Sequence, residues 1–209
     1  MPEIRRDPVS GAWVVVGFRH IYIDNKSSCP FCPGNEDLTP PSIREIKGSD
    51  GSWRIRCFPS RNFLFVIEAS EERKGEGIYD KMANLGAHEI VVESPDHTKT
   101  FSNFTESEIE LLIRFYQERV FDLKKDRRLR YIQVFKNHGE LAGSYIFHPH
   151  SHVLATPIMP ERIERELTNA KEHYLRKERC LFCDIVRQEI RDKKRVVSQN
   201  IHFVSFCPF

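Results

Sequence analysis

FHPHSH, residues 147–152, sets three of the chain's nine histidines at alternate positions, with Pro149 between the first two. Alternate residues of a strand share a face, so His148, His150 and His152 would stand in a row. Three imidazoles make a poor core face, because each brings two polar nitrogens that need partners. Pro149 removes a ladder donor, which suits an edge strand or a bulge beside a site. The preceding run, NHGELAGSY (137–145), places Gly139 and Gly143 four apart, a spacing that lets backbone N–H groups approach a phosphate. That loop alone is a weak signal, and three surface histidines without a role are the plain alternative. Together the loop and the histidine strand form a coherent phosphate site. A neutral histidine, with an ordinary pKa of about 6.5, is a competent phosphorus nucleophile near pH 7.

Around this stretch the chain reads as short strands and one strong helix. WVVVGF (13–18), WRIRCF (53–58), FLFVIE (63–68), HEIVVE (88–93) and YIQVFK (131–136) are rich in β-branched and aromatic residues and bounded by turn residues. FTESEIELLIRFYQERVFDL (104–123) predicts a helix with a capping box at Thr105 and Glu108. Its expected apolar face is Ile109, Leu112, Ile113, Tyr116 and Val120. A second, highly charged helix is predicted over 161–178, with only a narrow stripe of Ile163, Leu167, Ala170 and Tyr174. Strands outnumber helices and do not alternate with them. The expected class is therefore α+β, an antiparallel sheet with a packed helix.

Four of the six cysteines form two C-x-x-C pairs, Cys29/Cys32 and Cys180/Cys183. SSCPFCPGNE is a Pro/Gly-rich knuckle rather than the start of a helix in a βαβ unit, which favours metal over redox chemistry. Two thiolates and two neutral imidazoles would neutralise a divalent zinc ion. His97, in the polar turn ESPDHTKT, and His148 are candidates for the second half of such a site, along with other histidines. From spacing alone, one zinc held by all four C-x-x-C cysteines is an equal alternative. Cys57 and Cys207 read as buried thiols.

The first C-x-x-C has an echo, and so has a later stretch. CPFCPGNE (29–36) is matched by CLFCDIVRQE (180–189), and RNFLFVIE (61–68) by QNIHFVSF (199–206), in the same order. This suggests a duplicated unit whose second copy breaks off early. The expected organisation is a domain over 1–160, a helical connector over 161–179 and an incomplete second repeat over 180–209. A longer two-repeat chain and a second unit reduced to an appendage both remain open.

The composition excludes little beyond this. Lys and Arg number 32 against 30 Asp and Glu, and a net charge of +2 gives no electrostatic case for a nucleic-acid partner. No apolar run approaches the roughly 20 residues of a membrane helix, and MPEIRRDPVSG lacks the apolar core of a signal peptide. A cytoplasmic protein is expected.

RRDPVSGAWVVV, CPFCPGNE, EGIYDKMANLGAHEIVVESPDHTKT, VFKNHGELAGSYIFHPHSH and CLFCDIVRQE together resemble the galactose-1-phosphate uridylyltransferase family, a branch of the histidine-triad superfamily. The resemblance covers nearly the whole chain in order. It implies a duplicated histidine-triad-like α+β unit that moves a uridylyl group from UDP-glucose to a hexose 1-phosphate through a nucleotidyl-histidine. It implies zinc on Cys29, Cys32, His97 and His148, and His150 as nucleophile. Asn62 and Asn137 match positions that contact the nucleotide, Gly143 and Ser144 the phosphate loop, and Arg19 an arginine near the sugar phosphate. The implied partners are a nucleotide sugar and a sugar phosphate; a homodimer is left open.

Three departures weigh on the reaction. His152 stands where the family usually has Gln, which is the pattern of histidine-triad hydrolases and gives His152 a catalytic place. Tyr145 stands where Ser is common, and the second repeat is short. A nucleotide hydrolase or phosphorylase, or a catalytically silent zinc-stabilised nucleotide-binding module, is the alternative.

Overall fold

Helix α1, Glu106–Leu123, starts at the expected capping box. The Thr105 hydroxyl accepts from the Glu108 amide, and the Glu108 carboxylate accepts from the Thr105 amide. Two N–H groups that the helix cannot satisfy internally are thereby paired. The buried side is Leu112, Phe115, Arg119 and Leu123, rotated from the face expected in the sequence; Ile113 is 51% exposed. Phe115 brings more apolar area to bury than Ile113, and Arg119 has a buried anion waiting for it. The structure is a computed structural model and describes residues 2–17, 29–61 and 64–209.

Two units divide the chain, Met1–Met159 and Pro160–Phe209. In the first, strands β1 (Glu3–Arg6), β2 (Trp13–Val16), β5 (Arg73–Glu76) and β6 (Tyr79–Ala83) form a small sheet ordered β2-β1-β6-β5. The main sheet is β3 (Arg44–Lys47), β4 (Trp53–Pro59), β7 (Ala87–Val92), β9 (His150–Thr156) and β8 (Tyr131–Phe135), in that order. Every pairing in it is antiparallel. This is a histidine-triad-like α+β fold.

Alternation along the strands gives the main sheet two distinct faces. Ile55, Cys57, Val91, Val153 and Ala155 pack with Leu112, Phe115 and Leu123 of α1. Phe58, Ile90 and Val92 face the other way and pack with Phe31 and Trp53. Each such side chain contributes about 1.5–3 kcal/mol by leaving water. The helix face also buries an ion pair. Arg119 donates to both Glu89 oxygens at 2.7 and 2.8 Å, and the Cys57 thiol donates to the same carboxylate at 3.2 Å. Burial and the neighbouring carboxylate hold that thiol far above its usual range. Glu89→Ala would strand the Arg119 guanidinium, so stability should fall by about 3–5 kcal/mol in denaturant unfolding. A loss under about 1 kcal/mol would mean that Asp122, 3.0 Å away, suffices as partner.

Several expectations need correction. Residues 64–68 are not a strand: Val66 makes one isolated bridge to Leu85, and its N–H and C=O bond the Asn84–Gly86 loop instead of a ladder. Strands β1, β3, β5 and β6 escaped notice because sequences such as EIRR, REIK and RKGE lack an apolar alternation; β5 is exposed throughout. Pro149 does not mark an edge. It precedes β9, an inner strand, so its missing N–H costs no ladder bond.

The second unit holds α2 (Glu161–Lys177), α3 (Leu181–Asp192) and a hairpin of β10 (Val196–Gln199) with β11 (Val204–Phe206). Cys180 is the N-cap of α3, a helix that the sequence reading did not place, and Cys180, Cys183 and Cys207 are exposed. Exposure of Cys207 corrects the expectation of a buried thiol there; Cys57 is buried. Among the described residues no helix is long and apolar enough to cross a membrane.

Candidate metal centre and active site

The knuckle CPFCPGNE folds on its own polar residues. The Cys32 amide donates to the Cys29 carbonyl at 3.2 Å, and the Asn35 side chain donates to the same oxygen at 2.8 Å. Gly34 takes a left-handed conformation (φ +87°), and Glu36 accepts from the Gly34 amide and the Trp53 indole. Asn35 and Glu36 thus anchor the two cysteines, which sequence reading treated only as an echo.

His97 arrives on a turn held by Asp96, whose carboxylate accepts from the Thr98 amide and hydroxyl. β7 and β9 run antiparallel with Val92 opposite His150, so the turn after β7 meets the residues before β9. That register brings His97 to His148. Cys29, Cys32, His97 and His148 offer ligand atoms all within 4.8 Å of one another, the one such group among the described residues. Cys29 Sγ and Cys32 Sγ lie 3.8 and 3.6 Å from His148 Nδ1. His97 Nδ1 lies 3.4 Å from Cys32 Sγ and 3.3 Å from His148 Nδ1.

These edges can be tested against zinc. Bonds of about 2.3 Å to sulfur and 2.0–2.1 Å to nitrogen give tetrahedral S–N edges of roughly 3.6 Å and N–N edges of roughly 3.3 Å. The donor set fits. His148 Nε2 lies 2.7 Å from the Ser94 carbonyl, which can only accept, so the proton sits on Nε2 and Nδ1 keeps its lone pair. Burial pushes the His148 imidazole down to about 4, keeping it neutral. Burial and the neighbouring Cys29 push the Cys32 thiol up to about 11, so two thiolates side by side need a dication between the donors.

Of the other two histidines of the row, His150 is buried and His152 half-buried, so the row packs inward, against the expectation that three imidazoles make a poor core face. His150 Nδ1 lies 2.8 Å from the His148 carbonyl, so Nδ1 carries the proton and Nε2 the lone pair. Burial holds its imidazole below the usual histidine range. Phe31, between the two cysteines, sets its ring edge-on to His150 at 5.2 Å. His152 stacks on Phe135 at 4.9 Å, and its Nδ1 is 3.1 Å from His88 Nε2. Carbonyls and a second imidazole supply the partners that the sequence could not show.

Burial also pushes His152 down, to about 3. Below about pH 6.5 the unfolded chain therefore binds a proton that the folded chain refuses, and stability falls as pH falls. At pH 5 the loss relative to pH 7.5 should be on the order of 2 kcal/mol. Denaturant unfolding of wild type and His152→Gln at both pH values checks this. A wild-type-to-variant difference that is the same at both would rule it out.

A cavity of about 250 Å³ opens in front of His150, lined by Lys99, Phe101, Lys136, Asn137, Ser144 and His150 among others. Asn137, Ser144 and His150 are thus brought together; His152 lies behind, against His88 and Phe135. Gly143 closes the loop turn at φ +84°. The Ala142, Gly143 and Ser144 amides bond carbonyls of Gly139 and Glu140, so they shape the loop. Arg19 and Asn62 lie outside the described residues. Lys136 and Phe31 were missed; Lys136 had read only as the polar end of a strand.

An antiparallel sheet with a helix on one face, and on the other a Cys₂His₂ donor set leading into buried histidines, defines a histidine-triad-like fold class. Residues 19–160 match the model described as galactose-1-phosphate uridyl transferase, N-terminal domain, and the chain belongs to that family. An ADP-glucose phosphorylase of Arabidopsis thaliana is 30% identical over 227 residues, covering 100% of this chain and 62% of its own length. A galactose-1-phosphate uridylyltransferase of Thermotoga maritima is 27% identical over 212 residues, covering 100% and 63%. A solved uridylyltransferase structure has a TM-score of 0.81 at 29% identity, covering 99% of this chain and 62% of that one. The chain thus spans about three-fifths of the length of these relatives.

Proposed function

We propose that the first unit transfers a nucleoside monophosphate group between phosphates, taking a uridylyl group from UDP-glucose to a hexose 1-phosphate such as galactose 1-phosphate. The observation that carries this is the hydrogen bond from His150 Nδ1 to the His148 carbonyl, which leaves a neutral Nε2 lone pair beside the cavity. Nε2 attacks the α-phosphorus: an N–P bond forms, the P–O bond to the sugar phosphate breaks, and the sugar 1-phosphate leaves. A phosphate oxygen of the acceptor then attacks the same phosphorus, and the N–P bond breaks. Asn137 and Ser144 contact the phosphates, with Gly143 shaping their loop; Arg19 and Asn62 complete the substrate contacts in this reading. Cys29, Cys32, His97 and His148 would hold zinc, whose contribution is to neutralise two thiolates and lock three distant segments. Residues 161–179 connect to the start of a second repeat at 180–209.

A second reading has specific support. His152 with its His88 partner replaces the amide usual at that position, and the Arabidopsis relative is named a phosphorylase. The two readings differ in what receives the nucleotidyl group. UDP-glucose and ADP-glucose should each be offered with galactose 1-phosphate, with inorganic phosphate and with water alone. Transfer predicts UDP-galactose from the first acceptor, with little UMP. Formation of nucleoside diphosphate from inorganic phosphate instead marks a phosphorylase, and UMP released equally fast with and without acceptor marks a hydrolase. If His152 assists water as a base, His152→Gln should raise the transfer-to-hydrolysis ratio by about 10².

A further inference from the structure

The chemistry above leaves unused a polar cluster reaching from α1 to the nucleophile's own peptide. Glu93, just past β7, has a side chain with 0% exposure. Its carboxylate accepts from the Tyr116 hydroxyl of α1 at 3.0 Å and from Lys136 Nζ at 2.6 Å. Tyr116 also meets the Ser151 hydroxyl at 2.8 Å. Lys136, directly after β8, donates a second bond to the His150 carbonyl at 3.0 Å and lines the cavity in front of that residue. Two of the three ammonium donors are therefore spent on groups fixed by neighbouring strands. A carboxylate with no access to water holds its cation far more firmly than an exposed partner would.

We infer that Lys136 is a positioning residue: it ties the peptide carrying His150 to the buried Glu93 and so fixes the line along which Nε2 meets phosphorus. This rests on the reading of His150 as nucleophile. The His150 ring is already oriented by the His148 carbonyl and by Phe31. Those contacts set the ring relative to its own strand and the knuckle. Lys136 sets the strand itself relative to β7, β8 and α1. A displacement of about 1 Å at the attacking atom costs on the order of 10²-fold in rate.

The test is single-turnover nucleotidylation by UDP-glucose in wild type, Lys136→Met, Lys136→Arg and the double variant Glu93→Gln/Lys136→Met. Lys136→Met should form the adduct about 10²-fold more slowly, with UDP-glucose affinity changed less than about threefold. Arg keeps both the charge and two donors, so Lys136→Arg should recover most of the rate. The double variant removes the stranded carboxylate, so it should melt close to wild type yet remain slow. A double variant with wild-type rate would show that Lys136 only neutralises Glu93, and a loss confined to affinity would make it a substrate contact; either overturns the inference. Wild-type adduct on His150 with Lys136→Met equally fast overturns this inference alone. A wild type without a His150 adduct overturns the nucleophile reading and this inference with it.

Discussion

His150→Ala should abolish nucleotidyl transfer, lowering turnover by at least about 10⁴-fold, while zinc content stays at the wild-type level. The size follows from the absence of a substitute. His148 has one nitrogen in the donor set and the other on the Ser94 carbonyl, and His152 is engaged with His88. Neither can present a lone pair where His150 does. The structural cost should be modest, about 1–3 kcal/mol, since the ring makes one bond to a carbonyl and packs on Phe31. Turnover, zinc content and melting measured on one preparation separate the two effects. Residual turnover above about a hundredth of wild type would mean that another group attacks phosphorus.

Loss of the metal should have the largest effect on stability. The donors come from residues 29–32, 97 and 148, so the ion would close loops of about fifty or more residues that exist only in the folded state. Zinc affinity then becomes folding free energy. Chelation, Cys29→Ser or His97→Ala should each cost on the order of 5 kcal/mol, lowering the melting temperature by about 10–20 °C. Activity should fall as well, because Phe31 rides between the cysteines and packs on His150. Cys180→Ser should leave the tight zinc in place. If it removes the ion while His97→Ala does not, the donor assignment is wrong.

Local signals were legible where a single segment decides the outcome. The capping box places α1 within two residues of its predicted start, and the β-branched runs place β4, β7 and β8. What depends on partners was not legible. C-x-x-C says nothing about the far half of a donor set, so spacing left four cysteines level with Cys₂His₂ until the family resemblance was added. His97 and His148 meet only through the β7–β9 register. The buried face of α1 is set by Glu89 across the sheet, which draws Arg119 inward past the more apolar Ile113. Strands such as EIRR and RKGE are held by their neighbours, with no pattern of their own. The Glu93–Lys136 pair joins residues 43 apart in sequence, and only the fold brings them into contact.

The central claim is that His150 Nε2 becomes bonded to phosphorus. Wild type should be mixed with UDP-glucose without acceptor, quenched in base, digested and mapped by mass spectrometry. The expected result is one uridylyl group on the peptide containing His150, lost in acid and absent from His150→Ala. Product formation with the group on another residue, or with no adduct during turnover, would contradict it.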